Sequence, residues 1–117
     1  MRQIKFYELA SGKKPVEDFL DSLNDKELQK VIWVLQLIKE APILQQLPTI
    51  YYKPLTGTDG IDEIRIKFGN NQFRILCFEV NNELILATNG FRKKDEKVPK
   101  KEIKLAEQRK QEYLSNG

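Results

Sequence analysis

Residues 61–91, IDEIRIKFGNNQFRILCFEVNNELILATNGF, decide the fold. Three runs rich in β-branched and aromatic residues occupy 61–68, 72–80 and 83–91, and short asparagine-containing breaks separate them. Runs of this length joined by tight turns are typical of neighbouring antiparallel strands. The sequence therefore predicts a three-stranded antiparallel meander in this part of the chain.

The flanking segments predict one more strand and three helices. Residues 3–8 have strand composition, and Pro15 suits the first turn of a helix. Asn24, followed three residues later by Glu27, predicts a capping box at the start of a helix over 25–41. A last helix is predicted over about 99–114. The order β-α-α-β-β-β-α predicts an α+β domain, a small antiparallel sheet with helices packed on one face.

The helix over 25–41 carries an apolar stripe that should pack on the sheet. Its members share helical spacing and are Leu28, Val31, Ile32, Leu35 and Ile38. Trp33 and Leu37 widen the apolar arc beyond what one sheet contact needs. The wider arc leaves two interpretations open, namely further core burial or contact with a partner.

Length and composition favour one folded domain, residues 1–117, in the cytoplasm. The chain has 117 residues, of which 40% are hydrophobic and 32% charged, values that suit a small soluble protein. The first residues lack the apolar core of a signal peptide, and no apolar run is long enough for a membrane span. Cys77 is the only cysteine and is expected as a buried small hydrophobe. We therefore expect no disulfide and no membrane partner.

The chain contains no histidine. This excludes histidine-based zinc sites, Ser-His-Asp triads and imidazole acid–base chemistry. No cofactor and no metal are expected. The positive charge is concentrated late in the chain, because residues 92–117 hold nine Lys and Arg against five Asp and Glu.

Strand alternation sorts the meander into two faces. With two-residue turns at Asn70-Asn71 and Asn81-Asn82, one face is apolar and predicts the core: Ile64, Ile66, Phe68, Phe73, Ile75, Cys77 and Leu86. The opposite face has a cationic half, Arg65, Lys67, Arg74, Asn89 and Phe91, and an apolar half, Leu76, Phe78, Ile85 and Ala87. This register places Lys67 and Asn89 opposite Arg74. The open face is expected to carry the functional site.

Two interpretations of the cationic half remain. The cations could simply keep an exposed sheet face soluble, paired with Glu63 or Glu83. Alternatively, Arg65 and Arg74 lie on interior strands next to the basic segment RKKDEKVPKK at 92–101. Clustered cations beside an aromatic ring suit a phosphate chain and a stacked base.

The same residues carry a resemblance to a known family. The chain resembles the HigB-like, phage-derived branch of the RelE/ParE toxin superfamily over about residues 3–113. Five short elements in this order carry the resemblance: Lys53-Pro54-Leu55-Thr56-Gly57, Glu63-Ile64-Arg65, Phe73-Arg74-Ile75-Leu76, Asn89-Gly90-Phe91-Arg92-Lys93-Lys94 and Pro99-Lys100-Lys101-Glu102-Ile103.

The resemblance implies a type II toxin that cuts mRNA during translation. It implies the RelE-like fold, the ribosome and mRNA as targets, and a cognate antitoxin of the helix-turn-helix type. A heterotetramer with the antitoxin is among the assemblies that it allows. An alternative within the superfamily is a ParE-like DNA gyrase inhibitor. A second alternative is a weakly active homologue that only binds antitoxin or RNA.

The candidate site follows from the matched elements. The catalytic candidates are Arg65, Arg74, Lys93 and Asn89, and the candidates for RNA binding are Lys53, Lys67, Phe91, Arg92, Lys94 and Lys97. The arginines suit stabilisation of the phosphorane charge, because a guanidinium grips phosphate oxygens bidentately and stays charged. Tyr51, Tyr52 and Tyr113 are further candidates for proton transfer or packing.

Asn89 departs from the family pattern. Many relatives have histidine before the Gly-Phe pair, and asparagine cannot act as a general acid or base. Phe73 and Val98 also depart from the tyrosine and threonine that are common at their positions. The acid–base part of the chemistry must therefore come from other groups, or the ribosome must supply most of the acceleration by orienting the message.

Overall fold

The computed structural model describes residues 1–116 and contains a five-stranded sheet with three α-helices. The elements are β1 (Gln3–Phe6), α1 (Pro15–Asp21), α2 (Asp25–Glu40), β2 (Tyr52–Pro54), β3 (Asp62–Phe68), β4 (Asn71–Asn81), β5 (Leu84–Arg92) and α3 (Lys100–Asn116). A short 3₁₀ helix, Leu44–Gln46, follows α2. Among residues 1–116, no helix is both long and apolar enough to cross a membrane.

The strands lie in the order β1-β5-β4-β3-β2. The predicted meander of β3, β4 and β5 is confirmed, whereas the sheet as a whole is mixed because β1 pairs with β5 in parallel. The sequence also missed β2, which pairs with the outer edge of β3. β2 has only three residues and ends in Pro54, so it lacks the alternation that identifies a strand.

The helix boundaries were predictable from capping chemistry. Asn24 Oδ1 accepts a hydrogen bond from the Glu27 backbone N–H at 2.9 Å, and Glu27 Oε1 accepts one from the Asn24 N–H at 3.1 Å. Pro15 begins α1, where its missing N–H costs nothing. The stripe on α2 was partly wrong. Val34 is buried in place of Ile32, and Ile32 is 55% exposed.

Helices cover both faces of the sheet, so the prediction of one covered face was wrong. The core face packs on α1 and α2, and its strand residues include Ile64, Ile66, Phe73, Ile75, Cys77, Ile85 and Ala87. The other face, which we call the α3 face, packs Leu76 and Phe91 against Ala106 and Ile103 of α3. The predicted open apolar half is therefore buried. Its Phe78 ring lies 6.0 Å from the Tyr113 ring, in an edge-on arrangement.

The predicted register was also wrong by two residues between β3 and β4. Arg65 pairs with Arg74, and Lys67 pairs with Gln72. The turn uses Gly69, whose φ of +60° suits glycine. A slip of two residues keeps every side chain on its face, but it leaves Phe68 36% exposed instead of buried.

An irregularity in β5 explains the remaining error in the assignment of faces. The pairing of β4 with β5 shifts between Leu76–Asn89 and Cys77–Ala87, so Thr88 has no partner. An extra residue in one strand reverses the alternation beyond it. Ile85 and Ala87 therefore join the core face, and Leu86, opposite Phe78, joins the α3 face. Arg74 lies opposite Phe91 rather than Asn89.

Candidate functional site

The candidate site lies on the α3 face, beside the start of α3 and at one end of β3, β4 and β5. Residues directly opposite one another, or two apart on a strand, share a face. Arg65 and Arg74 therefore come together with Glu63. Lys93, which continues β5 opposite Gln72, lies on the same face, as do Lys53 and Lys67 on flanking positions. The structure thus groups five of the ten residues singled out in the sequence.

Glu63 connects the two arginines. Its Oε1 lies 3.1 Å from Arg65 Nε and 3.4 Å from Arg74 Nε. The Glu63 residue is only 4% exposed, so this is not the solubilising surface pair that the sequence left open. Removing one partner of a buried ion pair typically costs about 3–5 kcal/mol. The carboxylate is a structural part of the site that the sequence analysis did not assign.

Arg74 is almost fully enclosed. Its exposed fraction is 2%, Nη1 donates to the Phe73 carbonyl oxygen at 3.0 Å, and Nη2 donates to Gln72 Oε1 at 2.8 Å. Nε is within ion-pair distance of Glu63 but lacks hydrogen-bond geometry. Burial lowers the pKa of Arg74, Glu63 opposes this effect, and Arg65 adds to it.

Arg65 is more accessible and is held from two sides. Its side chain is 28% exposed, Nε faces Glu63, and Nη1 donates to the Thr49 carbonyl oxygen at 3.1 Å. Nη1 is therefore hydrogen-bonded to the backbone, and Nε is ion-paired with Glu63. A guanidinium held in this way presents its remaining edge in a defined direction, as recognition of a phosphate oxygen requires.

Lys93 follows β5 and shares the electrostatic environment of the arginines. Its backbone N–H donates to the Gln72 carbonyl oxygen at 2.8 Å, which continues the pairing of the strands. Burial lowers the pKa of the Lys93 ammonium, and Arg74 and Arg65 lower it further, while Glu63 and Glu96 oppose them. A less basic lysine loses its proton more readily and so makes a better general acid.

Asn89 is buried, at 3% exposure, and all of its side-chain polar atoms are used. Nδ2 donates to Glu102 Oε1 at 3.0 Å and to the Glu102 carbonyl oxygen at 3.3 Å, and Oδ1 accepts from the Thr88 hydroxyl at 2.7 Å. These bonds join β5 to the first turn of α3. Asn89 therefore attaches α3 to the sheet.

The other predicted residues lie in three different environments. Phe91 packs under α3 beside Leu76. Arg92 lies on the core face, with its guanidinium 4.8 Å from the centre of the Phe73 ring and Nη1 3.8 Å from Glu27 Oε2. Lys94 and Lys97 are exposed in the segment between β5 and α3. Arg92 is thus separated from the arginine cluster by the sheet.

The tyrosines considered for proton transfer all pack elsewhere. Tyr51 meets Trp33 edge-on at 5.6 Å, and Tyr113 meets Phe78. Tyr52 is buried and donates its hydroxyl hydrogen to Asp62 Oδ2, and burial raises its pKa strongly. Lys93 is therefore the titratable candidate that the fold brings to the arginine cluster. Within residues 1–116, no three acidic or cysteine side chains are grouped closely enough to hold a metal ion.

The five-stranded sheet and its three helices define an α+β protein with a RelE-like fold. One solved structure with this fold is described as "Crystal structure of archaeal RelE-RelB complex from Pyrococcus horikoshii OT3". It aligns with a TM-score of 0.51 and 16% identity, over 78% of this chain and 93% of that chain. The likeness confirms the predicted α+β, RelE-like fold.

The family follows from the sequence comparison. The family model described as "Phage derived protein Gp49-like (DUF891)" matches residues 18–111. The chain belongs to this family of RelE-type toxins. The predicted RelE/ParE-type toxin is thereby confirmed, and the HigB-like branch stays a prediction. No curated protein matches the chain.

Proposed function

We propose that the protein is a HigB-like toxin that cleaves mRNA on the ribosome and acts in the cytoplasm. The observation that carries the proposal is the position of Arg65, which is held by Glu63 and Thr49 and shares the α3 face with Lys93. Lys53 and Lys67 add exposed cations to the same face. This arrangement suits a single RNA strand whose phosphates follow the ends of the strands.

The reaction needs no cofactor. The ribose 2′-oxygen gives its proton to a solvent water and attacks the adjacent phosphorus. The bond to the 5′-oxygen breaks as that oxygen takes up a proton, so that the products are a cyclic phosphate and a free 5′-hydroxyl. Arg65 stabilises the charge that develops on the non-bridging oxygens, because its guanidinium remains a cation throughout. Lys93 donates a proton to the departing 5′-oxygen. Orientation of the message by the ribosome lowers the activation free energy further, by up to roughly 7–11 kcal/mol in favourable systems.

Expression of the protein tests this function. We expect induction to arrest growth and to create new RNA 5′ ends inside translated messages. Arg65→Met and Lys93→Met should abolish both effects. Lys13→Met is a matched control, because Lys13 is exposed in the segment before α1, and α1 packs on the core face rather than the α3 face. Arrest without cuts would instead support a gyrase-type target.

The dependence on the ribosome has its own test. If orientation of the message is the main contribution, purified protein cuts translated message much faster than the same RNA free in solution. Equal rates on both substrates would contradict the proposal.

A second candidate function is binding without cleavage. The enclosure of Arg74 and the structural use of Asn89 favour it, because both positions carry candidate catalytic groups and neither side chain reaches solvent. Under this alternative, wild-type protein binds ribosomes or antitoxin but causes neither arrest nor cuts. Activity in Asn89→His together with an inactive wild type would support it directly.

The proposed partner is a cognate helix-turn-helix antitoxin. Trp33 is 48% exposed, Ile43 48% and Ile50 63%, and Lys30 Nζ lies 4.7 Å from the centre of the indole ring. Apolar side chains beside a cation suit an amphipathic, acidic segment of an antitoxin. Thr49, the backbone contact of Arg65, lies within two residues of Tyr51, which packs on Trp33. An antitoxin seated here therefore lies close to the catalytic candidates.

Trp33→Ala should weaken the antitoxin complex without unfolding the toxin. Ile32→Ala is the matched control, because Ile32 is 55% exposed on the same helix but points about 100° away from Trp33. Titration calorimetry with the antitoxin gives the affinity, and light scattering distinguishes a heterodimer from a heterotetramer. Equal affinity of the Trp33 and Ile32 variants would remove this surface from the interface.

A further inference from the structure

Arg74 is poorly placed to touch RNA, although it is one of the two arginines in the site. Its Nη1 and Nη2 are bonded to Phe73 and Gln72, and its Nε faces Glu63. Only 2% of the residue is exposed. An incoming phosphate would have to break these contacts before it could reach the guanidinium.

Arg65 is the arginine that remains available. Its Nε and Nη1 are held by Glu63 and by the Thr49 carbonyl oxygen, and its side chain is 28% exposed. The contacts of the protein therefore fix the plane of the guanidinium and leave the Nη2 edge for a ligand. This is the preorganised state that binding of a phosphate oxygen favours.

Glu63 needs Arg74 beside it in order to hold the Arg65 guanidinium in place. A carboxylate whose side chain is only 5% exposed is costly to bury unless cations lie close to it. Arg65 alone is partly hydrated, whereas Arg74 is enclosed on the other side of the same Oε1 atom. The buried pair of Glu63 and Arg74 thus forms the support against which Arg65 is aligned.

We propose that Glu63 is a positioning residue that orients Arg65 toward an RNA phosphate, and that Arg74 acts through Glu63 without contacting the RNA. The proposal rests on the function proposed above. It divides the two arginines into one that binds substrate and one that holds the binding group in place.

The salt dependence of binding separates these roles. Each phosphate contact to a single strand contributes about 0.7 to the slope of log K against log salt. The probe is a ribosome that carries a message with 2′-O-methylated riboses, which cannot be cleaved. Arg65→Met should reduce the slope by about 0.7. Arg74→Met and Glu63→Gln should leave the slope unchanged while weakening binding about tenfold, the size of one charge-assisted hydrogen bond. A slope for Arg74→Met that falls as far as that for Arg65→Met would overturn the proposal.

Arg74→Met leaves the buried Glu63 with only the partly exposed Arg65 as a counter-charge, so the folding of this variant has to be checked by circular dichroism. The double variant Glu63→Gln/Arg74→Met removes both charges and keeps the comparison available. It should show the wild-type slope and a loss of affinity close to that of Glu63→Gln alone. Additive losses in the double variant would show that Arg74 acts independently of Glu63, and would contradict the proposal.

A second readout does not depend on RNA. The Nε–H signal of Arg65 in an NMR spectrum should be protected from solvent exchange in the wild type and should lose this protection in Glu63→Gln. Lys13→Met should leave the signal unchanged. Retained protection in Glu63→Gln would refute the positioning role. If the wild type fails to bind the programmed ribosome, the proposed function fails, and the exchange measurement still decides whether Glu63 holds Arg65.

Discussion

Replacement of Asn89 by alanine should destabilise the fold rather than remove a catalytic group. The substitution deletes the two hydrogen bonds to Glu102 and the bond from the Thr88 hydroxyl. The Thr88 hydroxyl can then turn its single proton to the Leu76 carbonyl oxygen, 3.1 Å away. Glu102 is only partly buried, so water can replace part of what is lost. We therefore expect a loss of about 1–2 kcal/mol in the free energy of unfolding, within the usual range for unsatisfied polar groups.

Urea unfolding followed by far-UV circular dichroism measures this loss. With a slope of about 1.5 kcal/mol per molar urea, the midpoint should fall by roughly 1 M. Asn82→Ala, in the exposed turn between β4 and β5, is the control and should stay within about 0.5 kcal/mol of the wild type. An unchanged midpoint for Asn89→Ala would refute the assignment of Asn89 to the docking of α3.

Asn89→Asp makes the same test sharper. It keeps the shape of the side chain but places a carboxylate where Nδ2 lies 3.0 Å from Glu102 Oε1. Burial and the like charge raise the pKa of the new carboxyl in the folded state above its unfolded value. The native state then binds more protons, so the penalty is largest at neutral pH and diminishes as the pH falls. Equal losses at pH 7 and pH 4 would contradict the contact.

Three further predictions concern stability. Burial raises the pKa of Asp62, and the hydrogen bond from Tyr52 partly opposes this effect. The folded protein therefore holds the Asp62 proton more tightly than the unfolded chain, so the free energy of unfolding should fall as the pH rises from the unfolded-state pKa to the folded-state pKa. Asp62→Asn should remove this fall, which urea midpoints at pH 3.5 and pH 7 would measure. A larger drop in midpoint between the two pH values in the variant than in the wild type would contradict the prediction. Gly90→Ala places a Cβ 2.7 Å from Phe19 Cδ2 and should cost about 1–3 kcal/mol by overpacking, measured by thermal unfolding; a neutral effect would mean that the Phe19 ring moves freely. Asn24→Ala removes the capping box of α2 and should cost about 1 kcal/mol, with Ser11→Ala as the exposed control in the same urea assay.

The sequence was sufficient for elements with local signals. The capping box predicted the start of α2, and the alternation of apolar and polar residues predicted β3, β4 and β5. The same alternation placed Arg65 and Arg74 together, although the register was shifted by two residues. A shift of two residues leaves each side chain on the same face of the sheet. The shared face of Arg65 and Arg74 was therefore predictable, although the residues directly opposite them were not.

Features that depend on a single irregular residue were not predictable. Thr88 reverses the alternation in β5, and no residue type in the stretch LILATNGFR marks that position. The Thr88 carbonyl oxygen accepts a hydrogen bond from Arg109 Nη1 at 2.9 Å. Arg109 of α3 therefore satisfies a backbone group at the irregularity, and this long-range contact has no counterpart in local sequence.

The burial of Glu63 was missed for a different reason. Strand alternation put Glu63 on the same face as Arg65, and the expectation for an acidic residue on that face was a solvated ion pair. The carboxylate is instead buried next to a second cation, Arg74, which comes from the neighbouring strand. Only the correct register brings Arg74 within 3.4 Å of Glu63, so the support for Arg65 could not be derived from the residues alone.

The docking of α3 and the chemistry of the site meet in β5. Asn89 and the Thr88 carbonyl oxygen attach β5 to α3, and four residues beyond Asn89 the Lys93 backbone pairs with Gln72, whose side chain holds Arg74. If Asn89 only docks α3, Asn89→Ala should lower the cleavage rate in proportion to the unfolded fraction and leave the pH profile unchanged. Lys93→Met should leave the free energy of unfolding unchanged, but it should remove from the pH–rate profile the ionisation that belongs to the general acid. A shifted pH profile in Asn89→Ala would show that the two roles are not separable, because the amide would then be acting on the proton transfer itself.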